Sequence, residues 1–284
     1  MEFIKDYRDN EVLRKSFDAL AQESFGISFE QWYRSGFWTD AYNPHSLVEN
    51  GEVIANISVN RMDIRVDGQM KHYIQLGTVM TQKDRRNQGL SRALMEWILK
   101  EYRDACEGFF LLANSTVLDF YPKFGFERAV CYQFEKTISR RGIFCLEKMD
   151  MTIPENWNRL IETYYANRFL SRMRVENNAQ VMMFYVPDMD VYFHPGTQTY
   201  IVADAEGENL RIYDVFSKTQ VTLDEVIGFF GSTVKRVILE FSPADPENYR
   251  AEPVQDEDTT FFATGGVLEL LRREKLCIPT LFHA

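Results

Sequence analysis

At 284 residues, with 45% apolar and 14% aromatic side chains, the chain has too much core-forming material to be disordered and is long enough for one large domain or two ordinary ones. Its net charge of −10 argues against nonspecific nucleic-acid binding, which needs a basic surface. A local basic cluster on such an acidic body can still hold a small anion, and the acidic surroundings favour a cationic substrate such as an amine.

In chain order, a short strand is expected over 3–6, then helices over 10–21 and 28–36. Ser28 is a plausible N-cap, with Gln31 three residues on. Two hairpins follow. Asn50-Gly51 joins strands over 45–49 and 52–61, and Asp67-Gly68 joins strands over 62–66 and 69–81, because both turn positions tolerate positive φ. An amphipathic helix begins at Leu90, with Leu94, Ile98 and Tyr102 recurring every four residues. The apolar run 109–113 reads as a buried strand parallel to its neighbour across that helix. A short helix over 115–120 and a strand over 126–136 complete a mixed α/β layer.

Residues 137–152 read as a connection. Pro154 then opens a helix to about Phe169. Strands follow over 181–186, 190–194, 199–203 and 210–216, with Glu206-Gly207 at the turn between the last two. A helix over 223–230 leads to a strand over 234–241, then a strand over 260–263 and a helix over 267–273. This order echoes the first half, so an internal duplication is a hypothesis. The expected division is a domain at 1–140 and a second at 150–284.

Cys106, Cys131, Cys145 and Cys277 are scattered and form no CxxC pair, which fits reduced thiols in core positions of a cytoplasmic protein. His45, His72, His194 and His283 lack metal-ligand spacing, so no metal is expected. No apolar run approaches transmembrane length, and the N-terminus lacks a signal peptide's apolar core. Neither nucleic acid nor a membrane is an expected partner.

The stretch from Thr78 to Leu94 carries the most chemistry. It reads as strand, basic glycine-containing turn and helix start. The first N–H groups of a helix lack intrahelical partners and sit at the positive end of its dipole, so they suit a phosphate or pyrophosphate. Gly89 allows close approach, and Lys83, Arg85, Arg86 and Arg92 add charge. Such a turn can equally bind nothing, and taken alone the two readings weigh the same.

Two spaced motifs add to this. Arg86-x-x-Gly89-x-Ser91 is similar to Q/R-x-x-G-x-G/A, and Asn114-x-x-Val117-x-x-x-Tyr121-x-x-x-Gly125-Phe126 is similar to N-x-x-A-x-x-x-Y-x-x-x-G-F. In this order the chain resembles, over about 1–136, the GNAT superfamily of acyl-CoA-dependent N-acetyltransferases. Ser91 and Val117 depart from the pattern by a small and a modest change. The resemblance implies that acetyl-CoA is the cosubstrate and that the N–H groups of Asn87, Gln88, Gly89, Leu90 and Ser91, with Arg86, cradle its pyrophosphate. It also implies that the strand edge at Val79, Met80 and Thr81 binds the pantetheine arm and that an N–H of Val79 or Met80 polarises the thioester. Asn114 would contact the cofactor, and Tyr121 would protonate the leaving thiolate. Read from the residues alone, Asn114 can be a helix cap and Tyr121 a core aromatic. Glu30, Asp84, His72 and Asp119 qualify as a general base by type only.

The two-part layout resembles the Eis-type and mycothiol-synthase-type tandem acetyltransferases. The fold class is therefore α/β with a mixed sheet: an N-terminal GNAT fold and a degenerate GNAT-like second domain without the cofactor motif. The apolar tail is expected to pack on the first domain, with the Ala284 carboxylate a candidate base and plain packing of Leu281 and Phe282 the alternative. The expected activity is transfer of acetyl from acetyl-CoA to a primary amine of a small molecule or peptide, by direct attack in a ternary complex. The aromatic residues Phe25, Phe29, Trp32, Tyr33, Phe37, Trp38 and Tyr42 either line the acceptor pocket or form core. A non-catalytic acyl-CoA-binding or sensor protein is the alternative, a relict fold that binds a partner is a further one, and a homo-oligomer is possible.

Overall fold

A short strand β1 (Glu2–Ile4) precedes α1 (Glu11–Phe25). Asn10 caps that helix, its Oδ1 accepting from the N–H groups of Val12 at 3.1 Å and Leu13 at 3.2 Å. The second helix, α2, covers only Glu30–Arg34. Ser28 accepts from the Glu30 N–H at 3.3 Å, and Asp18 of α1 adds to this start, accepting from the Phe29 N–H at 2.6 Å and from the Ser28 hydroxyl at 3.0 Å. A carboxylate ten residues back thus reinforces the local cap. Strands β2 (Tyr42–Glu49), β3 (Glu52–Val66) and β4 (Gln69–Thr81) follow through the two expected hairpins, and β3 is one continuous strand. Then come α3 (Leu90–Tyr102) and β5 (Gly108–Asn114). The expected helix over 115–120 is a 3-10 turn, Ser115–Val117, with a second at Tyr121–Phe124, where Pro122 removes a donor.

The strand expected over 126–136 is two strands in different sheets, β6 (Glu127–Arg128) and β7 (Tyr132–Thr137). The second half contains β8 (Glu147–Lys148), α4 (Pro154–Ala166), β9 (Met173–Val175), β10 (Val191–His194), β11 (Thr199–Glu206), β12 (Asn209–Ser217), α5 (Leu223–Gly228), β13 (Arg236–Leu239), β14 (Arg250–Pro253), β15 (Thr259–Ala263) and α6 (Gly265–Arg273). The segment 181–186 is not a strand but part of consecutive 3-10 turns, Ala179–Phe184 and Val186–Asp188. Its Val181, Met182, Met183 and Val186 are all buried, and a buried irregular segment is as apolar as a buried strand. This computed structural model describes every residue except 140–141, 167–169, 255–258 and 284. Phe169, the expected end of the fourth helix, and Ala284 therefore lie outside the described residues.

Two mixed sheets result. The first has the order β1-β2-β3-β4-β5-β15-β6, with β9 paired to β3. The second, read from its other end, has the order β8-β10-β11-β12-β13-β7-β14. The orders correspond position by position. In each, three antiparallel strands lead through a helix to a parallel strand, β4 to β5 through α3 and β12 to β13 through α5. The strand beyond that comes from elsewhere in the chain. It is β15, from the end, in the first sheet, and β7, from the middle, in the second. The sheets thus do not divide where the sequence division at 140–150 falls.

The helix α3 covers one face of the first sheet, where Leu90, Leu94, Met95 and Ile98 pack with Ile57, Leu76, Phe109 and Leu111. The opposite face is covered by α1, α2 and the second half. Phe17, Trp32, Tyr42 and Phe110 share that core with Met182, Phe216, Leu281 and Phe282. The aromatics Phe29, Trp32, Phe37, Trp38 and Tyr42 are buried core, whereas Phe25 is exposed. The tail packs inward as expected. Leu281 and Phe282 are buried, and the Tyr185 hydroxyl donates to the His283 carbonyl at 2.7 Å.

Candidate functional site

The strands β4 and β5 pair over three rungs only, Tyr73 with Gly108, Ile74 with Phe109 and Gln75 with Phe110. Beyond Gln75, β4 continues to Thr81 paired with β3 alone, and β5 continues to Asn114 paired with β15 alone. A wedge opens between them. The edge of residues 76–81 faces it without a ladder partner, which leaves backbone donors and acceptors for an extended ligand.

A bulge in β4 marks the divergence. Asn56 pairs with Met80 and Ser58 with Gly77, so β4 carries one residue more than β3 between those rungs. Thr78 stands there at φ +46°, a conformation that costs a β-branched residue energy. Buried polar side chains hold it. The Asn56 amide donates to the Thr78 carbonyl at 2.9 Å and to the Ser58 hydroxyl at 3.0 Å, and accepts from the Ser46 hydroxyl at 2.9 Å. The Ser46 hydroxyl also lies 2.6 Å from that of Tyr7, and the Thr78 hydroxyl 2.6 Å from that of Tyr42. Sequence reasoning passed over Asn56, Ser58, Ser46 and Tyr7. Gly77 inside a strand was the available signal for a bulge.

At the wedge's open end the chain makes the 3-10 turn Lys83–Arg85 and passes through Asn87 at φ +62° and Gly89 at φ +81° into α3. Among the described residues, none of the N–H groups of Asn87, Gln88, Gly89, Leu90 or Ser91 donates to another backbone carbonyl. The Thr81 and Ser91 hydroxyls, 2.9 Å apart, tie the strand end to the helix start. The basic side chains differ in engagement. Arg85 pairs with Glu49, Lys83 lies 3.5 Å from Glu23, and Arg92 lies 3.7 Å from Glu96 and over the Phe124 ring. Arg86 donates from Nε to the Thr81 carbonyl at 3.3 Å. That turn is a set of unclaimed donors at the positive end of a helix dipole, fitted to a phosphate.

Tyr121 follows β5 on the α3 face, 3% exposed and packed against Phe120, Phe126 and Phe262. Burial pushes its phenol up to about 12, so it carries its proton at neutral pH and can serve as an acid. Asn114 caps the 3-10 turn after β5, its Oδ1 accepting from the Thr116 N–H at 3.1 Å. Its side chain is exposed at the end of β5. Val79 and Thr81 are half-buried and Met80 is buried, so their backbone edge is the part that faces the wedge.

On the face away from α3, Tyr42 lies beside Thr78, and a cavity of about 440 Å³ is lined by Leu112, Phe261, Cys277, Ile278 and His283. Burial pushes the His283 imidazole down to about 4, so it is neutral. The structure brings none of the four carboxylate and histidine candidates for a base into this space. Glu30 is held by Arg14 at 2.7 Å, His72 lies 2.7 Å from Asp63 toward the far end of β4, and Asp84 and Asp119 are on exposed turns. Cys131 and Cys277 have thiols raised by burial, which disfavours the nucleophilic thiolate. Among the described residues there is no cluster able to hold a metal ion and no helix long and apolar enough to cross a membrane.

Residues 8–129 match the sequence pattern of the Acetyltransferase (GNAT) domain. No curated protein matches the sequence. Among solved structures, a probable N-acyltransferase from Enterococcus faecalis V583 is similar at 11% identity and a TM-score of 0.61, covering 95% of this chain and 73% of that one. A GCN5-related N-acetyltransferase from Kribbella flavida is similar at 16% identity and 0.56, covering 92% and 70%. Eis1 from Mycobacterium abscessus is similar at 13% identity and 0.54, covering 92% and 72%. These likenesses span both sheets and establish the shared fold. The split strands, the bulge and the glycine turn lie within the matched residues, so the N-terminal part of this chain matches the GNAT acetyltransferase domain in sequence pattern and in fold.

Proposed function

We propose that the chain transfers the acetyl group of acetyl-CoA to a primary amine, by direct attack while both substrates are bound. The observation that carries the reading is the unpaired edge of β4 ending in a turn whose N–H groups have no backbone acceptor. Val79, Met80 and Thr81 would hold the pantetheine arm along that edge. Arg86 and the N–H groups of Asn87, Gln88, Gly89, Leu90 and Ser91 would hold the pyrophosphate, with Asn114 at the opposite wall. Acetyl-CoA supplies the activated acyl group. The chain supplies position, a backbone N–H of Val79 or Met80 for the charge that develops on the thioester oxygen, and a proton from the Tyr121 hydroxyl to the departing sulfur.

The amine would enter from the face away from α3, where Tyr42, Thr78 and His283 stand. In this reading residues 1–140, completed by β15, form the working unit. Residues 150–284 hold no second cofactor site and shape what is acetylated, in the cytoplasm. Their segment between β12 and α5 has neither glycine nor arginine. Two measurements test the proposal. Acetyl-CoA should raise the melting temperature, since a ligand of the native state must stabilise it. Thiol release from acetyl-CoA should depend on an added amine. Stabilisation without release from a broad panel of amines would leave an acyl-CoA-binding protein in place of an enzyme, and no stabilisation would overturn both.

A further inference from the structure

The second sheet repeats the wedge. The strands β12 and β13 pair in parallel from Asn209 with Arg236 to Ile212 with Leu239, where β13 ends while β12 runs on to Ser217. A bulge again follows the last rung. Val202 pairs with Asp214 and Ala203 with Ile212, leaving Tyr213 as the extra residue. Asp214, paired with Val202, is the first residue beyond that bulge. A cavity of about 580 Å³ opens at this point, lined by Asp214, Phe216, Tyr164, Arg172, Arg174 and Phe282 among others. That volume is in the range of small-molecule sites. The cavity is separate from the first wedge. Its other wall is the β3–β4 hairpin at Arg65, which pairs with Met70, and Met70 lies about 27 Å along β4 from Thr78 at about 3.4 Å per residue.

Asp214 feels the Arg174 charge, yet no hydrogen bond between the two is formed among the described residues. Arg65 is taken up by Glu176 at 2.8 Å, and Arg172 by Asp67 at 2.6 Å. Asp214 is nearly sealed from solvent, 9% exposed, and its Oδ1 accepts from the adjoining Val215 N–H at 2.8 Å. Arg174 donates from one terminal nitrogen to the Tyr164 carbonyl at 2.9 Å, with its guanidinium 5.0 Å from the Tyr164 ring centroid. Its Nε–H is buried without an acceptor, the nearest carboxylate oxygen, on Glu176, being 3.9 Å away. Buried donors and acceptors are normally satisfied. Here the Arg174 Nε–H is open, and Asp214 stands in the same lining, beside a wall of three rings, with Tyr164 5.2 Å from Phe216 and 5.5 Å from Phe282 between centroids. One ligand with a cationic and an anionic end around an apolar body would complete both.

We infer that this cavity is a binding site for a small zwitterion of the amino-acid class, its ammonium on Asp214, its carboxylate on Arg174 and its side chain against Tyr164, Phe216 and Phe282. The site is independent of the acetyl-transfer reading and is tested without acyl-CoA. The full-length protein is titrated calorimetrically and by thermal shift with phenylalanine, phenethylamine and phenylacetate. Phenylalanine should bind at millimolar concentration or tighter, and each analogue lacking one charge should bind about tenfold or more weakly, the size of a lost charged hydrogen bond. Asp214→Asn and Arg174→Gln should each weaken phenylalanine by a similar factor, with circular dichroism confirming the fold, and Tyr121→Phe should leave it unchanged. Absence of phenylalanine binding to the folded wild type, equal binding of the three probes, or binding untouched by both cavity variants would each overturn the inference.

Discussion

Asn56→Ala removes the side chain that holds the bulge of β4. It takes a donor from the half-buried Thr78 carbonyl and an acceptor from the sealed Ser46 hydroxyl. A buried group left without a partner costs about 1–3 kcal/mol, and the backbone strain at Thr78, itself about 1–3 kcal/mol, loses the bond that offsets it. Ser46 keeps Tyr7, so the expected loss is about 2–4 kcal/mol, or roughly 5–15 °C in Tm at about 2–4 °C per kcal/mol. Thr78→Gly adopts positive φ without that strain and should shift stability by about 1 kcal/mol or less, because Tyr42 retains Ser58 as a partner. The double variant is the diagnostic. If Asn56 acts by holding a strained turn, glycine at 78 makes that hold less necessary. The pair should then be more stable than the sum by about 1 kcal/mol, beyond the about 0.5 kcal/mol scatter of independent sites. Urea unfolding of the four proteins measures this, and amine-dependent thiol release should fall in Asn56→Ala and partly recover in the double variant. Strict additivity with unimpaired turnover in Asn56→Ala would refute the reasoning.

Tyr121→Phe should lower kcat by about 10²–10⁴-fold, the range for a general acid, with little change in KM for acetyl-CoA; an unchanged kcat in steady-state kinetics removes Tyr121 from the reaction. With its phenol near 12, wild-type kcat should show no loss of that acid between pH 6 and 9. Deleting residues 281–284 exposes the slots of Leu281 and Phe282 and should cost about 4–8 kcal/mol, judged from single core truncations. Unchanged melting with lost turnover would instead assign the tail a chemical role. Burial raises the Asp214 carboxyl to about 7, above the roughly 3.9 of an unfolded chain, so the folded state holds the extra proton between those values and wild-type stability falls as pH rises from about 4 to about 7. Asp214→Asn lacks this loss. Its stability relative to wild type, from denaturant unfolding, should increase across that window and level off above it, and a pH-independent difference would contradict the burial argument.

The local signals were legible where one turn or one helix face decides the outcome. Asn50-Gly51 and Asp67-Gly68 set their own φ, and the Arg86, Gly89 and Ser91 spacing lies wholly within one turn. What the sequence hid depends on partners far along the chain. In β3, Ala55, Ile57 and Val59 with Asn56, Ser58 and Asn60 read as a strand with one wet face, yet Asn56, Ser58 and Asn60 are buried. The second half covers that face, and the Asn178 amide reaches Asn60 at 3.1 Å. An alternation of apolar and polar residues cannot distinguish solvent from a buried polar network. The exchange of β7 and β15 was hidden for the same reason. A six-residue strand reads alike in either sheet, and only long-range pairing with β13 or β5 assigns it. That exchange has a consequence for the wedge. The wall of β5 that would face acyl-CoA is propped by β15, which arrives after some 140 residues of intervening chain. Residues 1–140 expressed alone would expose the β5 edge along Leu111 and Ala113, which pair with β15 in the full chain. On the proposed reading the first half would depend on the second for a wall of the acyl-CoA site, which is a physical reason for a fold without a second glycine turn to be retained.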